Sequence, residues 1–160
     1  MKALAKGEMA KFALPVQAAP PPATSFVDAK GQTRRIADFR GKVVVVNMWA
    51  TWCAPCIIEM PTLAKLAKNY EGQNVEVVAI SVDRPDDEAK ARMFIAKHAP
   101  LNFYHDPNMA LPFAFKPVAA GMPTTVIYGA DGVERGRLAG GADWSSKDAK
   151  ALIDKVLAES

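Results

Sequence analysis

The chain holds only two cysteines, Cys53 and Cys56, separated by Ala54 and Pro55. They close the stretch Trp49-Ala50-Thr51-Trp52-Cys53-Ala54-Pro55-Cys56, where a Val-rich run gives way to a helical pattern. A cysteine at a helix N-terminus faces backbone N–H groups without partners and the positive end of the helix dipole. Both favour the thiolate over the thiol, and the thiolate is the nucleophile of disulfide exchange. Two intervening residues let the second sulfur close onto the first without unwinding the helix. Pro55, early in that helix, lacks only an N–H that would have had no partner. Cys53, the first and more exposed, is expected to attack; Cys56, one turn inward, is expected to resolve. A C-x-x-C pair can also be half of a zinc site. No second pair exists, and His98 and His105 do not have ligand spacing, so no metal is expected.

The elements needed to position such a pair are legible on both sides of it. Lys42 to Ala50, with Val43-Val44-Val45-Val46 and Met48-Trp49, is a near-continuous apolar run bounded by Gly41. It reads as a central strand buried on both faces. A helix is expected from near Cys53 to about Tyr70, with Ile57, Met60, Leu63, Ala64 and Leu66 at helical spacing and Gly72 ending it. Ahead of the strand, Thr24 to Ile36 reads as a small hairpin turning at Gly31, followed by a helical turn at Ala37 to Phe39. Beyond the helix come a buried strand at Val75 to Val82, a helix over Asp86 to His98 capped by Asp86 or Asp87, and a short strand at Phe103-Tyr104. Asp106 to Ala120 is irregular with one helical turn. A hairpin pairs Thr124–Tyr128 with Val133–Leu138, and a last amphipathic helix, capped by Ser145 or Ser146, buries Ala149, Leu152, Ile153, Val156 and Leu157. This order implies an α/β sandwich around a mixed sheet.

Length and composition limit the rest. One domain is expected for 160 residues, half of them apolar and 23% charged. The net charge of +3 comes with no dense Lys/Arg cluster, so nucleic acid is not an expected partner, and Arg34-Arg35 reads as a solvated strand face. Two cysteines exclude a disulfide-rich scaffold. No apolar run nears the roughly 18 residues that cross a bilayer, and Lys11 interrupts the one N-terminal apolar stretch, so no secretory signal is read there. Residues 1–22, with Pro15, Pro20, Pro21 and Pro22, read as a flexible tail or linker, and 23–160 as the domain.

The segment Trp-Ala-Thr-Trp-Cys-Ala-Pro-Cys after a Val-rich strand resembles the active-site segment of the thioredoxin superfamily. Glu59-Met60-Pro61 resembles its bacterial extracytoplasmic branch, the TlpA/ResA/CcmG-like thiol–disulfide oxidoreductases. Gly121-Met122-Pro123-Thr124-Thr125 before an apolar strand resembles the family's cis-proline loop; Asp131-Gly132, Gly140 and Trp144 match its ending. The likeness spans residues 24–159 in one order. It is strongest to the TlpA subgroup, through those segments and Ala142-Asp143-Trp144-Ser145. The resemblance implies a thioredoxin fold, a mixed central sheet flanked by helices, with an N-terminal hairpin and a helix–strand insertion over Asp83 to Asp106. It also implies that Pro123 is cis and that the Met122 backbone pairs with an incoming client strand. Trp52 is either a client contact or packing, and Trp49 is core.

Two departures from ordinary thioredoxins bear on proton transfer. Asn47 stands where a buried Asp is usual. Glu59, three residues after Cys56 on the same helical face, is where the branch carries a carboxylate. Such a group raises thiol pKa values and can take the proton of the resolving cysteine; otherwise Glu59 is a solvated helix residue. The resemblance implies a protein disulfide reductase in the periplasm, compatible with tethering to the inner membrane through a segment absent from this chain. It implies no cofactor beyond a redox-active Cys53–Cys56 disulfide, and a monomer. It also implies disulfide-containing clients among copper-site assembly proteins of cytochrome oxidase biogenesis, and a membrane thiol transporter as electron donor. The alternative task is CcmG-like reduction in cytochrome c maturation. A thiol peroxidase on this fold needs Pro and Thr where this chain has Val46 and Ala50. A Sco-type copper carrier wants C-x-x-x-C with a histidine.

Overall fold

The computed structural model describes residues 2–159. Strand β3 (Val43–Trp49) is buried along its whole length, as four successive valines on a two-faced strand require. It runs parallel to β4 (Val75–Ser81) and antiparallel to β6 (Thr124–Tyr128). Beyond these lie β1 (Phe26–Asp28), β2 (Thr33–Arg34), β5 (Tyr104–His105) and β7 (Glu134–Ala139). The seven strands are ordered β2-β1-β5-β4-β3-β6-β7, a mixed sheet with helices packed on it. The N-terminal hairpin is β1–β2, with Gly31 at φ +77° in its turn. It joins the sheet through β5, the strand of the central insertion.

Helix α1 (Ala54–Asn69) starts directly after Cys53, its N-cap residue, and packs on β4. The insertion helix α2 (Glu88–Ala96) follows a 3-10 turn at Pro85–Asp87. It is shorter than expected, and Asp87 sits at its N-cap without a side-chain capping bond. A single helical turn, α3 (Leu111–Ala114), interrupts the irregular segment before β6. The last helix, α4 (Lys147–Ala158), is capped by Ser146, whose hydroxyl accepts from the Ala149 N–H. Ala149, Leu152, Ile153 and Val156 are buried and Leu157 is half-buried.

Residues 1–22 require a correction. From Lys2 onward they are not a free tail. Met9 and Phe12 are buried in the core, and Phe12 lies over Gly136 of β7, where a side chain would collide with its ring. Ala13 exchanges two main-chain bonds with Arg137, and Glu134 N–H donates to Ala19. No sustained helix forms among the described residues of this segment, which has only two 3-10 turns, Lys2–Leu4 and Gly7–Met9. The segment nonetheless finds partners, because the unpaired edge of β7 offers a row of backbone groups that need them.

Candidate active site

Strand β3 delivers the chain to the cysteines. The Ala50 carbonyl accepts from the Cys53 N–H at 3.2 Å, closing a turn whose middle residues are Thr51 and Trp52. Cys53 and Cys56 are joined by a disulfide with Cα atoms 5.3 Å apart. Cys53 retains 6% exposure and Cys56 none, so the first sulfur is the one that approaches the surface. Beside it Trp52 is 60% exposed, while Trp49 is fully buried and packs on Phe94 of α2, ring centroids 5.3 Å apart.

Across the sheet, Met48 pairs with Thr124, so the residue before β6, Pro123, lies level with the end of β3 and its turn. The Met122–Pro123 bond is cis. Pro123 is buried and Met122 half-buried. The Thr124 hydroxyl donates to the Gly121 carbonyl at 2.6 Å and Gly140 N–H to that of Pro123 at 2.8 Å. These bonds fix the loop beside the cysteine turn.

Glu59 is 3% exposed, one helical turn beyond Cys56 on the same side of α1. Its Oε1 accepts from Asn47 Nδ2 at 2.8 Å. Its Oε2 accepts from the Ala142 N–H at 2.9 Å and the Trp144 indole N–H at 3.2 Å. Burial pushes its carboxyl up to about 7, against the opposing pull of those three donors. A cleft of about 440 Å³ between Pro55, Ile58, Gly141 and Ala142 reaches it. Asn47, which also donates to Thr125 Oγ1 at 2.9 Å, is a holder of Glu59 and not merely a missing acid. Among the described residues its own Oδ1 has no partner.

The sequence did not give Asn47 and Trp144 as partners of Glu59; nor did it single out Asp83, which binds the cysteine turn through Thr51. The Asn at the usual Asp position was a signal for the first. His98 and His105 are not brought to the cysteines: His98 bonds the Phe94 carbonyl and His105 that of Asp83. Among the described residues no group of three or more His, Cys, Asp or Glu could hold a metal, and no helix is long and apolar enough to cross a membrane.

The AhpC/TSA family pattern matches residues 8–135, most of the chain and all of the cysteine segment. The chain belongs to the AhpC/TSA family. Among its curated relatives, the thiol-disulfide oxidoreductase ResA of Oceanobacillus iheyensis is 37% identical over 102 residues, 62% of this chain and 50% of that one. ResA of Geobacillus kaustophilus is 47% identical over 58 residues, 36% of this chain and 33% of the relative. The chain thus spans only a third to a half of the length of these two relatives. Among solved structures, a putative thioredoxin from Neisseria meningitidis superposes with a TM-score of 0.71 at 28% identity, covering 88% of this chain and 91% of that one. A putative thiol:disulfide interchange protein DsbE from Chlorobium tepidum reaches 0.73 at 23% identity, over 86% and 96%. These likenesses establish the thioredoxin fold for this AhpC/TSA member.

Proposed function

We propose that this protein is a thiol–disulfide oxidoreductase that reduces disulfides in client proteins outside the cytoplasm. The observation that carries the reading is the Cys53–Cys56 disulfide at the start of α1, with a buried carboxyl raised to about 7 one turn further on. In the reduced protein the Cys53 thiolate attacks one sulfur of a client disulfide, and the other client sulfur leaves as a thiolate. Glu59 takes the proton of Cys56, whose sulfur then attacks Cys53 Sγ. The second client thiolate leaves, and the client has gained two electrons while Cys53 and Cys56 have lost them. The proton on Glu59 reaches solvent through the cleft beside Ala142. Trp52 and the main chain of Met122 receive the client, Pro123 holding that loop beside the cysteine turn. The clients are cysteine pairs of copper-site assembly proteins and the electron donor is a membrane thiol transporter; both rest on the likeness to TlpA-like proteins. Val46 and Ala50, in place of Pro and Thr, support a reductase over a peroxidase. Trapping with Cys56→Ser tests the reading. A client linked through Cys53 and released by dithiothreitol is expected; a variant that links nothing while the wild-type protein consumes peroxide would overturn it.

A further inference from the structure

Asp83 is completely buried, and it lies outside every step described above. Its carboxylate accepts from the Thr51 N–H with both oxygens, at 3.0 and 3.1 Å, from the Thr51 hydroxyl at 2.6 Å and from the Ser81 hydroxyl at 2.7 Å. Every hydrogen-bond partner of the Asp83 carboxylate among the described residues is thus a backbone amide or a hydroxyl, and none is a cation. A carboxylate desolvated without a counter-charge is costly unless its lone pairs are filled; here the residue that fills most of them is Thr51. The placement follows from the sheet. Trp49 and Ser81 stand opposite each other at the parallel ends of β3 and β4. The Val82 N–H continues the ladder to the Trp49 carbonyl at 2.8 Å, and the next residue, Asp83, reaches the first amide of the cysteine turn. From the far side, buried His105 bonds the Asp83 carbonyl at 2.7 Å.

We propose that Asp83 is a positioning residue for the reaction, acting through Thr51 to hold the turn that aims Cys53 at the client. The need arises on reduction. In the oxidised protein the bond to Cys56 restrains Cys53; once that bond opens, the turn is held by the Ala50–Cys53 hydrogen bond and by Asp83. Asp83 and Thr51 therefore keep the attacking sulfur in place in the one redox state that attacks. The inference rests on Cys53 being the attacking sulfur.

The test follows the rate of the reduced protein with a small aromatic disulfide across pH, in wild type, Thr51→Val, Thr51→Ser and Asp83→Asn. Thr51→Val keeps the branched shape and deletes one hydrogen bond to a charged group. It is expected to slow Cys53 by about tenfold at the plateau of the pH curve, and Thr51→Ser to return it to near the wild-type rate. Asp83→Asn removes a negative charge and is expected to move the midpoint of the curve to lower pH. Thr51, half-exposed, tolerates substitution even where Asp83→Asn fails to fold. A folded Thr51→Val with the wild-type rate at every pH overturns the positioning role. Preferential labelling of Cys56 in the wild-type protein overturns instead the attack order on which the role depends.

Discussion

At Glu59, burial raises the carboxyl from 4.5 to about 7 while three donors pull it down, so its charge changes across the range in which disulfide exchange runs. The unfolded chain releases this proton near 4.5, whereas the folded protein keeps it to about 7. The stability contributed by the protonated group is therefore fully present below about 4.5 and is lost as pH rises through 7. Over the whole window that is on the order of 3 kcal/mol. Denaturant unfolding of the oxidised protein at pH 5 and pH 8 is expected to show this loss in the wild type and not in Glu59→Gln. In the reduced variant the reactivity of Cys53 is expected to begin at lower pH, since an anionic neighbour has gone, and release of a mixed disulfide to slow. Glu59 itself was legible, because its distance from Cys56 is a matter of helix geometry. Its partners were not: Trp144 lies 85 residues away, and only the return of the chain past β7 brings its indole to the carboxylate. Asn47 in place of Asp was legible too, but that its amide donates to the Glu59 carboxylate depends on a contact between β3 and α1.

The N-terminal segment shows what periodicity fails to report. Met9 and Phe12 are two apolar positions among lysines, alanines and prolines, too few to announce a buried element. Their burial depends on a side chain missing elsewhere, at Gly136, whose φ of +155° and vacant Cβ position admit the Phe12 ring. Phe12→Ala is expected to cost about 3 kcal/mol, the range for a large-to-small change in a core. It should also unfasten the segment before the domain unfolds. Hydrogen exchange reads this directly, because the Arg137 N–H is protected by the Ala13 carbonyl at 3.0 Å and should exchange much faster in the variant. The strands and helices proper were far more legible. β3, α1, β6 and α4 fall within a few residues of their sequence-derived bounds, because each carries a long run of one period and a cap or glycine at its end. The insertion was blurred: β5 is only Tyr104–His105, and its pairing with both β4 and β1 is set by its neighbours and not by its own residues.

For the molecule as a whole, the direction of electron flow is the property that matters. A dithiol oxidises others when its reduced form is unusually stabilised; the DsbA type lies near −120 mV, thioredoxin near about −270 mV. Here Ala54 and Pro55 bring no charge or side-chain donor, and Glu59, once ionised, disfavours the Cys53 thiolate. The potential is therefore expected nearer the thioredoxin value. Equilibration against a glutathione series measures it, and a value on the DsbA side would make the protein an oxidant. Tryptophan emission is the natural signal for that titration, and the way Glu59 is held bears on how it must be run. The indole of Trp144 donates to the very carboxylate that ionises near 7, while Trp49 and Trp52 lie just ahead of Cys53 in the chain. The molecule thus carries an optical indicator of protons alongside two of electrons, all emitting in one band. Read well below neutrality, where Glu59 keeps its proton, the band reports the disulfide alone; at neutral pH it reports both, and replacing Trp144 by Phe separates the two colours of information.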